Sequence, residues 1–350
     1  MAIQITFETL IEDSPGASWQ ALFERLWPGY RAWFLRSGTV DRPTYAQCRR
    51  ALRQHMPELV PTWERVVELA GGGDVEARFL SLWCPPPYIA GCSQAVWVDP
   101  AGTEEPVMLR NYDFAPALLE GSWLATRWRG KRVVAMGDCL WGALDGMNEA
   151  GLAASLSFGG STVSGIGFGI PLVLRYLLEV AQDTAEAVAL LRRVPVSMCY
   201  SITLLDRKGK WATVFVGSDR PTEATRRKVV TNFQHRVEWP EHARATRSVE
   251  RLTSLQQRID APGSVQDAID ALLKPPLFQS AYHRGYGTLY SAVYRLCSAG
   301  IELLWPGQRW AQSLDSFVEG RREIVYTPGA DPPAGQEEGA VMQMLAESRS

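Results

Sequence analysis

Cys92 is the residue in this chain with the most chemical potential, because of what stands around it. Gly91 precedes it, and the run Arg110-Asn111-Tyr112-Asp113 begins eighteen residues further on. A cysteine thiolate attacks amide and ester carbonyls well, but it needs a base and a donor for the developing oxyanion. Histidine is the usual base. The chain has four, His55, His235, His242 and His283. His55 falls in the N-terminal helical region and His242 on a charged helix beside Glu241 and Arg244, so both read as surface or structural. His235 and His283 remain as partners for an in-chain Cys-His pair.

A second route needs no histidine. Cutting the peptide bond before Cys92 would free an α-amine on the nucleophile itself. Its ordinary pKa of about 7.7–8.0 suits a base working near neutral pH. Gly91 offers little steric obstruction to attack on its own carbonyl. Arg110 and Asp113 would then come back toward the thiol on the second strand of a hairpin. The guanidinium would favour the thiolate and the carboxylate would hold the ammonium.

The elements that must position these groups follow from hydrophobic periodicity. Residues 1–80 read as helical, with helices over 17–35, 45–55 and 61–69 before the breaker Gly71-Gly72-Gly73. Pro85-Pro86-Pro87 breaks the chain again, and strands begin immediately after it. Strands are expected over 93–98, 107–112, 123–129, 133–136, 142–147 and 151–158, the last two as a hairpin about Asn148-Glu149-Ala150. Two helices follow, one with Pro171 in its first turn and one capped by Thr184 and ending near Arg193. Strands return over 201–206 and 211–217, then helices over 241–259 and 265–273, then strands over 288–295, 300–305 and 323–326. Two sheets with helices outside them, a layered α+β fold, account for this order.

At this point the sequence resembles a known family. Gly91-Cys92-Ser93 followed by Arg110-Asn111-Tyr112-Asp113 is similar to the penicillin acyltransferase family and its relatives, the bile-salt and penicillin V hydrolases. Asn148–Ala153 and Ser155–Phe158 resemble the family's paired central strands. Thr184–Arg193 resembles its helix, and Val229-Val230-Thr231-Asn232 resembles the segment that supplies a side-chain amide. The likeness covers about residues 80–310. It implies a four-layer αββα N-terminal-nucleophile hydrolase sandwich, and a thiol enzyme that acts on a linear amide through an acyl-enzyme.

Carried over position by position, Cys92 is the nucleophile, and Gly91-Cys92 the site of autocatalytic cleavage. The uncut chain would be a zymogen. Asp113 would orient the freed amine and Arg110 support the thiolate. Asn232 and a backbone N–H near Ser157–Phe158 would form the oxyanion hole, with Tyr112 a further substrate contact. Residues 1–91 would be a helical pro-segment, 92–327 the catalytic domain and 328–350 a mobile tail. Two departures stand out. Ser157 occupies a place where the bile-salt branch often has Asn, and Ser291-Ala292 a place where it carries Arg beside Ser, so a second arginine is not expected there, although Arg295 is near.

Bulk properties fit a globular protein. Hydrophobic residues make up 46% and charged residues 21%, with a net charge of −2. No global charge argument favours nucleic acid or an anionic membrane. The N-terminus lacks a basic region followed by an apolar run, and no stretch reaches the roughly 18 apolar residues that span a bilayer. A cytoplasmic location is the expectation. The six cysteines form no CxxC pair and read as reduced thiols; apart from Cys92, Cys84, Cys139, Cys199 and Cys297 read as core residues. No His/Cys cluster has ligand spacing, so neither metal nor cofactor is expected. The expected partners are a small-molecule amide or acyl donor and, after cleavage, the chain's own two fragments held together. Two alternatives remain at this level: an uncut Cys-His thiol enzyme using His235 or His283, and a non-enzymatic binding protein on the same fold.

Overall fold

The computed structural model describes residues 2–39, 41–99, 101–261 and 263–327. The segment expected to be a mobile tail lies outside the described residues.

The chain opens with a strand, β1 (Ile3–Glu12), which corrects the expectation of an all-helical start. Ile3, Ile5 and Phe7 alternate with Gln4, Thr6 and Glu8, the period of a half-buried strand. Helices α1 (Ala17–Leu35), α2 (Tyr45–His55), α3 (Val60–Leu69) and α4 (Asp74–Leu80) follow. A capping box between Thr44 and Gln47 starts α2. Strands β2 (Gly91–Trp97), β3 (Val107–Phe114), β4 (Ser122–Thr126), β5 (Val133–Asp138), β6 (Gly142–Asn148) and β7 (Leu152–Phe158) come next, then α5 (Ile170–Val180) and α6 (Thr184–Leu191). The cap of α6 is Asp183 rather than Thr184, its carboxylate accepting from the N–H groups of Ala185 and Glu186. Strands β8 (Tyr200–Asp206), β9 (Trp211–Val216), β10 (Glu223–Thr225) and β11 (Val229–Val230) lead to α7 (Pro240–Ala245), α8 (Ser248–Asp260) and α9 (Val265–Leu272). The single helix expected over 241–259 is thus two, broken where Arg247 takes a left-handed φ of 52°. Strands β12 (Gly287–Arg295), β13 (Gly300–Trp305), β14 (Gln308–Ser313) and β15 (Gly320–Tyr326) complete the described chain.

Among the described residues the strands form two main sheets. One has nine strands in the order β10-β9-β8-β7-β6-β5-β4-β1-β15, and the other six in the order β11-β2-β3-β12-β13-β14. Strands β2, β7 and β8 meet face to face, α5 and α6 cover the outer side of the larger sheet, and α8 and α9 cover that of the smaller. This is the four-layer α+β sandwich the sequence implied. Its register decides where the chemistry can sit. Cys92, Val96, Met108 and Tyr112 belong to the core between the sheets, while Ala95, Trp97, Val107 and Leu109 pack with Leu255, Ile259 and Ile269 of the outer helices. Alternate residues of one hairpin therefore face two different layers.

Strand β1 is inserted between β4, to which it runs parallel, and β15, to which it runs antiparallel. The N-terminal segment is consequently part of the larger sheet. Its helices are also tied in: the indole N–H of Trp19 donates to Leu140 O at 3.1 Å, and that of Trp141 to Leu80 O at 2.9 Å. No helix among the described residues is long and apolar enough to cross a membrane.

Candidate active site

Cys92 lies one residue into β2, fully buried, and opposite Tyr112 in β3. On the same face Arg110 donates from Nη2 to the Cys92 sulfur at 3.4 Å, and its guanidinium lies 4.9 Å from the Tyr112 ring centroid. Burial pushes the thiol up to about 11, against the opposing pull of Arg110. Burial alone would weaken the charge on Arg110, but Cys92, Tyr290 and Asp145 outweigh it and hold the guanidinium well above its ordinary value. It remains a cation beside a sulfur.

Asp145 is what aims that cation. It stands in the middle of β6, in the opposite sheet, and accepts from Arg110 Nη1 at 2.8 Å, from Tyr290 Oη at 2.5 Å and from Tyr294 Oη. Arg110 Nη1 also donates to Leu144 O. A carboxylate inside the otherwise apolar run Gly142–Met147 was the available sequence signal for this residue.

Asp113 sits on the other face of the hairpin. It pairs in register with Gly91, and its carboxylate accepts from Arg251 Nη1 at 2.8 Å, Thr288 Oγ1 at 2.6 Å and Gln279 Nε2 at 3.3 Å. Burial raises its pKa, and Arg251, Thr288 and Gln279 pull it partly back. The structure thus brings Arg110 to the sulfur and places Asp113 one residue before it, on the helix side of the sheet.

Asn232 joins the two faces. Its Oδ1 accepts from the Cys92 N–H at 3.0 Å and from Arg251 Nη2 at 2.7 Å. Its Nδ2 donates to Ala90 O and Phe158 O, each at 3.3 Å. The neighbouring Phe158 therefore presents a carbonyl, not an N–H, to the Asn232 amide, while the Ser157 hydroxyl donates to Thr231 O at 3.2 Å. The segment carrying Asn232 is pinned by Thr231, which donates to Ser248 O, and by Gln234, which donates to Tyr200 O and Val216 O. Gly160, with φ +83°, lets it approach: a Cβ there would stand 2.5 Å from Asn232 O.

Arg251 is the functional residue that local motifs missed. It comes from α8, is fully buried, and donates to Thr246 O, Ser93 Oγ, Asp113 and Asn232. The site thus has the second arginine that the Ser291-Ala292 departure argued against. It arrives from a helix rather than from β12, where Arg295 points to Glu302 instead. Its spacing with Leu255 and Ile259 on the buried stripe of α8 is the signal that could have found it.

The histidines fall away from the thiol chemistry. His235 is exposed and bonded to Glu223 at 2.9 Å, and His283 is exposed on the turn Tyr282–Arg284. His242, expected at the surface, is instead fully buried between Trp239 and Phe158, and neither ring nitrogen has a hydrogen-bond partner among the described residues. Burial first and Arg251 second lower its pKa to about 3, so it is neutral. Of the other cysteines expected in the core, Cys139 and Cys199 are buried, Cys84 is half-buried and Cys297 is exposed. Among the described residues no group of three or more His, Cys, Asp or Glu side chains could hold a metal ion.

The residues before the thiol are tied to the site. Tyr88 shares a hydrogen bond with the Tyr112 hydroxyl, and its carbonyl accepts from Tyr200 Oη at 2.9 Å. Tyr88, Ile89, Ala90 and Gly91 are all buried.

The family model described as acyl-coenzyme A:6-aminopenicillanic acid acyl-transferase matches residues 100–310. No curated protein matches the chain. Solved structures similar to it include penicillin V acylase from Agrobacterium tumefaciens, 16% identical, with a TM-score of 0.44 over 64% of this chain and 86% of that one. A variant of conjugated bile acid hydrolase from Clostridium perfringens is 12% identical, with a TM-score of 0.45 over 69% and 99% of the two chains. The Caenorhabditis elegans ortholog of N-acylethanolamine-hydrolyzing acid amidase is 15% identical, with a TM-score of 0.44 over 58% and 92%.

Proposed function

This chain belongs to the acyl-coenzyme A:6-aminopenicillanic acid acyl-transferase family, and on that premise we propose that Cys92 is the nucleophile of an amide hydrolase or acyltransferase of the N-terminal-nucleophile type, activated by cleavage at Gly91–Cys92. The observation that carries the proposal is the Arg110 guanidinium 3.4 Å from the Cys92 sulfur, at the scissile position of a hairpin whose backbone N–H is held by Asn232.

In the uncut chain the thiol is protonated at neutral pH, because burial holds it near 11. Cleavage would supply what it lacks. The new α-amine takes the thiol proton, and Arg110 stabilises the resulting thiolate. Attack on a linear amide then gives a thioester acyl-enzyme and releases an amine. Water resolves the thioester in a hydrolase, and a second amine in a transferase. Asn232, freed from Ala90 when the preceding residues withdraw, would turn its amide to the substrate oxyanion. Asp113 lies beside the new terminus with Arg251 behind it, which suits it to steer the ammonium. Tyr112 would then border the acyl group, and the N-terminal and catalytic fragments would stay associated.

Mass spectrometry of the purified protein tests this directly. Cleavage divides the 350 residues into fragments of 91 and 259 (350 − 91 = 259). Cys92→Ala must remain one chain; processing that survives that substitution overturns the proposal. A Cys-His enzyme on the same fold is disfavoured by the exposure of His235 and His283, and would require an active, uncut chain.

A further inference from the structure

Tyr286 is a fully buried tyrosine whose hydroxyl has no hydrogen-bond partner among the described residues. It stands immediately before β12 and points at Gly91: a Cβ built on Gly91 would lie 1.7 Å from Tyr286 Oη, 2.9 Å from its Cζ and 3.1 Å from Asp113 Cβ. Gly91 does not have a left-handed φ, so its backbone does not call for glycine. What calls for it is the phenol packed against it.

An unpartnered buried hydroxyl destabilises a fold unless something compensates for it. Self-cleavage builds negative charge on the Gly91 carbonyl oxygen, and the two N–H groups of Asn232 are already committed to Ala90 O and Phe158 O. Burial and the nearby Asp113 raise the Tyr286 pKa, which keeps the phenol protonated and able to donate.

Resting on the processing at Gly91–Cys92 set out above, we propose that Tyr286 is a catalytic residue of that self-cleavage: its hydroxyl donates a hydrogen bond to the Gly91 oxyanion, and its position restricts residue 91 to glycine. The Cys92 sulfur bonds to the Gly91 carbonyl carbon while the carbonyl π electrons move to oxygen. The oxyanion then re-forms the carbonyl as the carbon–nitrogen bond breaks, and the thiol proton ends on the Cys92 nitrogen. The products are a Gly91 thioester and a free α-amine. Water hydrolyses the thioester to the Gly91 carboxylate and the thiol. Tyr286 keeps its proton throughout.

The experiment follows the fraction of cut chain over time by intact mass in the wild type, Tyr286→Phe and Gly91→Ala, with a thermal melt of each. Loss of one preorganised donor slows such a step roughly a hundredfold or more. The expected result is slowed cleavage in Tyr286→Phe with a melting temperature equal to or above that of the wild type, since an unpartnered hydroxyl has been removed. Gly91→Ala should block cleavage. Tyr286→Phe cutting at the wild-type rate overturns the assignment, and so does a lowered melting temperature with unchanged cutting, which marks a structural phenol. If the wild type itself never cuts, the processing reading fails first; if the wild type cuts and Tyr286→Phe cuts equally, only Tyr286 is misassigned.

Discussion

Arg251→Met, made in a Cys92→Ala background so that cleavage does not intervene, should cost this protein a large part of its stability. The guanidinium makes four hydrogen bonds, to Thr246, Ser93, Asp113 and Asn232, with no exposure to water. Methionine fills much of the volume but leaves the Asp113 carboxylate buried with only Thr288 and Gln279. Breaking one partner of a buried ion pair typically costs about 3–5 kcal/mol, against a total stability of roughly 5–15 kcal/mol. For a chain of this size that is a fall of roughly 4–7 °C in Tm. The loss must also depend on pH. Asp113 already has a raised pKa in the fold, and losing Arg251 raises it further. A raised carboxyl contributes stability that is complete below its unfolded pKa of about 3.9 and is lost as pH rises through the folded value. The deficit of Arg251→Met against its parent should therefore be larger at pH 7.5 than at pH 4.5. Adding Asp113→Asn removes the stranded charge and should restore much of the loss. Thermal melts of the parent, Arg251→Met and the variant with Asp113→Asn added, at both pH values, provide the check. A deficit under about 1 °C, or a double variant no more stable than Arg251→Met, would refute the coupled pair.

Other consequences are as direct. In the processed protein Arg110→Gln should move the pH midpoint of Cys92 alkylation by iodoacetamide upward by about one unit or more, because the opposing cation at 3.4 Å is gone; an unmoved midpoint would show that Arg110 does not support the thiolate. His242 stays neutral in the fold to about pH 3, so as pH falls below 6.5 the protein loses about 1.4 kcal/mol per unit to protonation of the unfolded state. His242→Phe should flatten that acid limb in urea titrations, and an unchanged acid limb would contradict the buried neutral imidazole. After cleavage the 91-residue fragment should elute with the larger one on gel filtration and separate only in denaturant, because β1 is hydrogen-bonded on both sides; its loss under native conditions would contradict that placement.

What could be read beforehand was local, and what could not was assembled from a distance. The hairpin of β2 and β3 and the pair β6 and β7 lie in short strand-forming segments that could be read along the chain, and Cys92, Arg110, Asp113 and Asn232 were singled out by the resemblance. Arg251 sits 159 residues beyond Cys92 (251 − 92 = 159) in a helix whose neighbours Glu250 and Arg258 suggest a solvated face. Only its coincidence with the Leu255 and Ile259 stripe betrays burial. Asp145 is a similar case, since its partner Arg110 belongs to the opposite sheet, and Tyr286 meets Gly91 only across the intervening strand β3; no window along the chain contains either pair. Strand β1 failed for another reason. Its alternation is plain, but it is followed by long helical patterns and gains its sheet only from β4 and β15, both more than a hundred residues away.

The position of β1 also decides what cleavage can accomplish. A separate pro-segment could leave, exposing the site wholesale. Here the N-terminal part is fastened at its beginning by β1 and near its end by Trp83, which bridges to Phe168, and by the Cys84 N–H, which donates to Gly167 O at 2.8 Å. Cutting after Gly91 therefore frees only residues 85–91. Seven residues extend to roughly 25 Å, enough for that arm to swing clear of Cys92 at the loss of only the Gly91–Asp113 pair from the sheets. Tyr88, Ile89 and Ala90 are the residues it carries, and all three are buried before the cut. On the proposed mechanism one bond thus creates the base, opens the site and leaves the core intact, because the inhibitory contact is confined to the last turn of chain before the nucleophile.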